Sequence, residues 1–117
     1  MGAMVTIPRR VLAEILHRVE SAWPEVAAGH FMGGGEGALT VTSVGEGGPT
    51  PELAVVGKYR SRPDGPAVPT AEDAAGLRPG WFLLLVSIRS GKPSEWSCWT
   101  SDGKSPDPVP MVVRLAD

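Results

Sequence analysis

The 117-residue sequence predicts a single α+β domain with a mixed, mostly antiparallel sheet. Three observations carry this prediction. Apolar residues recur at helical spacing near the N-terminus, whereas short alternating or continuous apolar runs fill the rest of the chain. Fifteen glycines and twelve prolines are spread between these runs, a distribution typical of many turns rather than of disorder.

The first predicted element is a long helix that begins at Thr6-Ile7-Pro8 and stops just before Pro24. Threonine is a good cap, and proline is tolerated in the first helical turn. The apolar stripe of this helix consists of Val11, Leu12, Ile15, Leu16 and Val19. The segment Met1-Gly2-Ala3 ahead of Met4 is typical of a cloning remnant, so residues 4–117 are taken as the domain.

The remaining elements are predicted strands joined by loops, with one short helix. The strands are expected at residues 38–44, 53–59, 81–88, 95–100 and 111–115, the later ones forming an antiparallel meander. A flexible turn is expected at Gly33–Gly37 and a loop at Pro63–Pro69. Thr70, followed three residues later by Asp73, predicts the start of the short helix.

Composition excludes several classes of protein. The chain has 11 basic and 13 acidic side chains, and its net charge of −2 argues against a general nucleic-acid binder. A single cysteine, Cys98, excludes an internal disulfide and a cysteine-based zinc site. No apolar run approaches the roughly 18 residues of a membrane span, and no signal peptide is recognised. We therefore expect a cytoplasmic protein that binds neither membrane nor nucleic acid.

The most informative segment is residues 54–74. It contains Arg60-Ser61-Arg62-Pro63, and seven residues separate Arg62 from Thr70-Ala71-Glu72-Asp73. This pattern resembles the JAMM/MPN (JAB) domain family, zinc metalloproteases that cut ubiquitin, ubiquitin-like proteins or sulfur-carrier proteins at their C-terminal tails. The family motif is His-x-His-Pro, then a loop, then Ser-x-x-Asp at the same spacing.

The resemblance extends beyond the motif. Residues 24–33 are similar to the family's Pro-x-Glu-x-x-Gly-x-x-x-Gly after the first helix, and residues 81–103 are similar to its later strands. The likeness thus covers about residues 7–103. It implies a cytidine-deaminase-like, three-layer MPN/JAMM fold with a long N-terminal helix and a short helix after the motif loop.

The departures from the family pattern concern the metal. In the family, the two histidines and the aspartate hold zinc, but here the histidine positions are Arg60 and Arg62. A guanidinium has no lone pair to offer and does not deprotonate in proteins. Asp73 alone remains, whereas a catalytic zinc needs about three protein ligands. We therefore expect no zinc and no other cofactor.

The family's other catalytic groups are changed as well. The general-base glutamate aligns with Val26, and the neighbouring Glu25 is expected on the opposite face of a strand. Thr70 replaces the serine that supports the oxyanion. Together these substitutions indicate a pseudoenzyme, with no catalytic residue assigned among the motif positions.

Three other side chains are of the types that can ligate a metal or act as a nucleophile. His30 is expected on a core strand or its edge, with a hydrogen bond to the backbone. His17 is expected on the solvated flank of the first helix. Cys98 is expected to be a buried, inert thiol, since no histidine or aspartate lies near it in sequence.

The motif suggests a ligand cleft. Lys58, Arg60 and Arg62 alternate, so on a strand they share one face, which the resemblance places in the family's cleft. A guanidinium fork suits a carboxylate or a phosphate. The predicted ligand-binding residues are Lys58, Arg60, Ser61, Arg62, Thr70 and Asp73. In the alternative interpretation, the two arginines are solvated or paired with Asp64, Glu72 and Asp73.

Three functions follow as hypotheses. The first is a zinc-free binding or scaffold module for the C-terminal tail of a ubiquitin-like or sulfur-carrier protein. The second is a metal-independent enzyme of a bacterial biosynthetic or sulfur-transfer pathway. It would use Arg60 and Arg62 as a clamp for a small anion, with an acid or base drawn from Asp73, Glu25, Glu36 and Tyr59. The third is a residual zinc isopeptidase. A homodimer, or pairing with an active JAMM relative, is compatible with all three.

Overall fold

The computed structural model of the chain describes residues 4–35, 38–45, 54–78, 80–101 and 107–117. The residues interpreted as a cloning remnant lie outside this set. Asp102 and Gly103, a pair that predicts a turn after the strand at residues 95–100, also lie outside it. In chain order the elements are β1 (Met4–Pro8), α1 (Arg9–Ala22), β2 (Ala28–Gly34), β3 (Ala38–Gly45), β4 (Ala54–Pro63), α2 (Ala71–Gly76), β5 (Phe82–Arg89), β6 (Lys92–Thr100), β7 (Val109–Pro110) and β8 (Val112–Ala116).

The described strands form one mixed sheet in the order β7-β6-β5-β4-β2-β3-β1-β8. Strand β1 runs parallel to β3 and β8, and β4 runs parallel to β5. The other four of these seven pairings are antiparallel, as the sequence predicted for the majority. The expected place of the last strand was wrong, because β8 leaves the meander and joins β1 at the far edge of the sheet.

The N-terminal segment differs from its prediction. Residues 4–8 form a strand, because Val5 and Ile7 alternate with less buried neighbours and are both fully buried. The helix therefore begins at Arg9 rather than at Thr6-Ile7-Pro8, and no side chain caps it. Its predicted end before Pro24 is confirmed. Neither helix among the described residues is long and apolar enough to cross a membrane.

The last two residues of strand β2 fall within the turn that the sequence predicted at Gly33–Gly37. Gly33 and Gly34 belong to the strand, and a Cβ on Gly33 would collide with the carbonyl of Thr40 in the neighbouring strand. Gly35 then leaves the strand with a φ of +111°, which favours glycine. Close backbone approach, rather than flexibility, explains Gly33, whereas a Cβ on Gly34 would meet no atom within 4 Å.

The sheet is covered on both faces, which gives three layers. Phe82, Leu84, Val86 and Ile88 of β5 join the main core with the buried stripe of α1. Leu83 and Leu85 point the other way and pack with Ala67 and Leu77, which flank α2. Because both faces of β5 are buried, its sequence is a continuous apolar run instead of an alternating one.

Candidate functional site

Strand β4 and helix α2 together form a cleft on the face opposite to α1. Along β4, Tyr59 and Ser61 are buried, whereas Lys58, Arg60 and Arg62 are half-buried. Lys58 and Arg60 line a cavity of about 380 Å³, which we call the cationic cleft. Its full lining is Ala28, Gly29, His30, Lys58, Tyr59, Arg60, Glu72, Asp73, Gly76 and Leu83.

The Asp73 carboxylate is buried, and its Oδ2 accepts three hydrogen bonds. Arg62 Nη2 donates to Asp73 Oδ2, which also accepts from Thr70 N at 2.8 Å and from Thr70 Oγ1 at 3.1 Å. Thr70 Oγ1 in turn accepts from Asp73 N at 3.2 Å, which completes a capping box at the start of α2. Asp73 is only 4% exposed, so its charge is compensated inside the protein by Arg62.

Arg60 stands in a different situation. No hydrogen bond or ion pair joins its guanidinium to another described residue. The Nε atoms of both arginines are buried without a partner, so the ion pair of Arg62 with Asp73 is what distinguishes the two. A half-buried guanidinium that has no acidic partner in the part of the chain that the structure describes attracts an anion from outside it.

Lys58 is the second uncompensated cation of the cleft. Burial, and then the charge of Arg60, lower its pKa below the usual 10.5, while Glu72 opposes this shift. Its Nζ lies close to the backbone of Gly76, where an added Cβ would come within 2.8 Å of that atom. The positive charge of Arg60 therefore disfavours the charged form of Lys58, and a negative ligand between the two side chains would relieve this repulsion.

His30 joins the cleft from β2, opposite Lys58 in the strand register. The predicted strand location is confirmed, but the predicted hydrogen bond is missing at Nδ1, which is buried without a partner. The ring stands edge-on to Trp81, with 6.0 Å between centroids.

Some predicted site residues lie elsewhere. Ser61 is fully buried, and its hydroxyl accepts a hydrogen bond from Ala27 N at 2.8 Å, so it does not line the cationic cleft. Glu25 and Val26 lie in the turn before β2, so the expectation that they alternate on a strand was wrong. Glu36 lies outside the described residues.

Glu72 and Gly76 line the cleft, but sequence reasoning assigned neither to the ligand set. Glu72 was considered only as an ion-pair partner. The available signal was their spacing, because Glu72 and Gly76 lie four residues apart on α2 and residues at this spacing share a helix face.

The donor set does not fit zinc. The described residues contain no group of three His, Cys, Asp or Glu side chains arranged to hold a metal ion. The one motif carboxylate already accepts three donors through Oδ2, one of them from Arg62. His17 is exposed on α1. Cys98 is buried as predicted, and burial raises the pKa of its thiol to about 12.

Solved structures share this fold. The solution structure of protein DSY2949 from Desulfitobacterium hafniense matches with a TM-score of 0.74 and 19% identity, over 97% of this chain and 94% of that one. A solution structure from Salinibacter ruber matches with a TM-score of 0.69 and 24% identity, over 100% and 92%. The crystal structure of AF2198, a JAB1/MPN domain protein from Archaeoglobus fulgidus, matches with a TM-score of 0.61 and 19% identity, over 97% and 96%.

The chain therefore has a fold similar to that of JAB1/MPN domain proteins. No family model matches the sequence, and no curated protein does.

Proposed function

We propose that this chain is a zinc-independent binding module that holds the free C-terminal carboxylate of an extended protein tail in the cationic cleft. One observation carries the proposal. Lys58 and Arg60 border a cavity of about 380 Å³ without a hydrogen bond or ion pair to other described residues, while Arg62 is held by Asp73. The partner class, a ubiquitin-like or sulfur-carrier protein, comes from the resemblance of the motif.

The two motif arginines have separate roles in this proposal. Arg62 pairs with Asp73, the residue that forms the capping box of α2 with Thr70, so its positive charge is compensated inside the protein. Arg60 keeps a guanidinium fork for a ligand, and Lys58 adds a second positive charge beside it. A carboxylate fits this pair because it accepts two parallel hydrogen bonds from a guanidinium.

Calorimetric titration with a tail peptide tests the proposal. A ten-residue peptide ending in Gly-Gly with a free carboxylate is compared with the same peptide carrying a C-terminal amide. We expect the acid to bind at least about tenfold more tightly, because a hydrogen bond to a charged group contributes about 1.5–3 kcal/mol. Arg60→Ala should remove the difference. Arg89→Ala, which removes an exposed arginine outside the cleft, should keep it. Equal binding of acid and amide would refute the proposal.

Zinc loading tests the metal-independent part separately. The protein is purified without chelator, supplied with zinc and dialysed, and its metal content is measured. We expect a metal content near zero per chain. A tightly held, near-equimolar zinc would overturn this part of the proposal and return the residual isopeptidase to consideration.

A second candidate is a metal-independent enzyme that acts on a small anionic substrate. His30 favours it, because an imidazole with a buried, unpartnered Nδ1 lies in the same cavity as the two cations. Turnover of small carboxylates or phosphate esters, followed by NMR, is the test. This candidate requires His30→Gln to abolish turnover while binding is retained. Pairing with a second copy or with an active relative is compatible with both functions and stays a prediction.

A further inference from the structure

The cationic cleft also carries an exposed negative charge. Glu72 of α2 lines the same cavity as Lys58 and Arg60, and its side chain is exposed. No hydrogen bond or ion pair joins its carboxylate to another residue in the described part of the chain. Glu72 therefore differs from the neighbouring Asp73, which is buried and paired with Arg62.

Glu72 lies on the side of the cleft where Lys58 ends. Glu72 and Gly76 both line the cavity and are four residues apart, so they share the face of α2 that borders it. The Nζ of Lys58 lies against this face, since a Cβ added to Gly76 would come within 2.8 Å of it. Burial and the charge of Arg60 lower the pKa of Lys58, and the carboxylate of Glu72 raises it. Glu72 thus acts on the cleft through its charge without forming an ion pair there.

The charges that line the cleft leave a net charge of one positive unit. Lys58 and Arg60 contribute two positive charges and Glu72 one negative charge, with histidine counted as neutral. Asp73 also lines the cavity, but its ion pair with Arg62 balances its charge. A ligand with a single negative charge therefore neutralises the cleft, whereas a ligand with two would leave an excess of negative charge beside Glu72.

We propose that Glu72 is a specificity-determining residue, which favours monoanionic carboxylates in the cationic cleft over dianionic phosphate monoesters. This inference rests on the proposed function and adds the class of ligand that the cleft rejects. Both ligands offer oxygen acceptors to the guanidinium of Arg60, so hydrogen bonding to that side chain does not separate them. The second negative charge of the phosphate separates them, because Glu72 repels it.

The expected effect of removing Glu72 depends on the charge of the ligand. An interaction between charges at an exposed position changes an affinity by about threefold. Because the repulsion energy is proportional to the ligand charge, the factor for a dianion is about the square of the factor for a monoanion, or roughly tenfold. Glu72→Gln should therefore improve the binding of both ligand classes, and that of the phosphate more.

Calorimetric titration with two peptides tests this inference. One ends in Gly-Gly with a free carboxylate. In the other, phosphoethanolamine replaces the last glycine, and its phosphate carries a charge of about −1.5 to −2 at pH 7. The wild-type protein should bind the carboxylate peptide more tightly, and Glu72→Gln should reduce this preference about threefold.

Two matched variants control for effects other than the charge in the cleft. Glu72→Asp keeps the negative charge and should retain the wild-type preference. Glu20→Gln removes an exposed acid on α1, which covers the other face of the sheet, and should retain it as well. Circular dichroism confirms that each variant is folded, as expected for substitutions at exposed positions.

The outcomes separate this inference from the proposed function. If acid and amide peptides bind the wild-type protein equally, the proposed function fails and this inference fails with it. If the acid binds better than the amide but Glu72→Gln changes carboxylate and phosphate affinity by the same factor, only the role of Glu72 is refuted. A wild-type preference for the phosphate peptide would refute that role in the same way.

Discussion

The two faces of the sheet differ in composition: one is packed with apolar side chains, and the other carries a cleft with charged side chains. Among the residues that the structure describes, seventeen apolar side chains of α1 and the sheet face beneath it form one buried core, with 4.7 Å between the ring centroids of Phe31 and Phe82. On the other face, four of the described apolar residues form a smaller buried cluster near α2. Beside this cluster lies a cleft with two cations that have no hydrogen bond or ion pair to described residues. The face covered by α1 therefore supplies most of the buried apolar packing that stabilises the fold. The second face is free to keep charges that a stable core would not tolerate.

The largest expected effect comes from breaking the α1 face. Phe82→Ala should lower the free energy of unfolding by about 3–5 kcal/mol, because Phe82 is fully buried and its loss leaves a cavity. Arg60→Ala should change it by no more than about 0.5 kcal/mol, since Arg60 makes no bond to the described residues and its removal relieves repulsion with Lys58. Urea denaturation measures both values. A destabilisation by Arg60→Ala as large as that by Phe82→Ala would contradict the comparison.

A somewhat smaller loss of unfolding free energy is expected from breaking the Arg62–Asp73 ion pair on the second face. Asp73→Ala should cost about 2–4 kcal/mol, because it leaves Arg62 without its partner in a site where that side chain is only 16% exposed. It also removes the capping box of α2. The matched double variant Arg62→Ala/Asp73→Ala should cost clearly less than the sum of the two single variants. Additive losses in urea denaturation would show that the pair is not coupled.

The smallest expected effect is a pH dependence of peptide affinity, which tests whether Lys58 contacts the ligand. Its pKa lies below the usual 10.5 because of burial and of Arg60, so it loses its proton at a lower pH than an ordinary lysine. Only the charged form attracts an anion, and affinity for the acid peptide should therefore fall about threefold to tenfold as the pH rises through that range. Lys58→Arg, which stays charged, should bind with little change over the same range. Circular dichroism confirms that both proteins remain folded, and identical pH profiles would exclude Lys58 as a contact.

Much of the fold was predictable, because patterns such as the apolar stripe of α1 and the run in β5 arise directly from burial. His30 was expected on a strand, but the extent of β2 was not predicted and its end was taken for a turn, because Gly29, Gly33 and Gly34 have low strand propensity. Their role becomes visible only when the neighbouring strands are in place. Residues 4–8 were assigned to the helix because Thr6 and Pro8 are acceptable in a first turn, and a strand of five residues gives a weak local signal.

The sequence predicted the part of the candidate site that β4 and α2 form, but not the part that β2 contributes. The resemblance placed Arg60 and Arg62 near Asp73, and Arg62 is the arginine that pairs with it. The part of the cleft that β2 contributes, including the unpartnered Nδ1 of His30, depends on a pairing between distant strands. No spacing rule revealed which arginine Asp73 would engage, because that choice depends on the path of α2.

The most direct test of the account follows the Nε–H signals of Arg60 and Arg62 by NMR, assigned with Arg60→Lys and Arg62→Lys, while the acid peptide is added. The account predicts that the Arg60 signal moves in proportion to binding and that the Arg62 signal stays in place, since Asp73 already holds Arg62. An unchanged Arg60 signal, or a larger shift at Arg62 than at Arg60, would contradict the claim that one arginine serves the fold and the other serves the ligand.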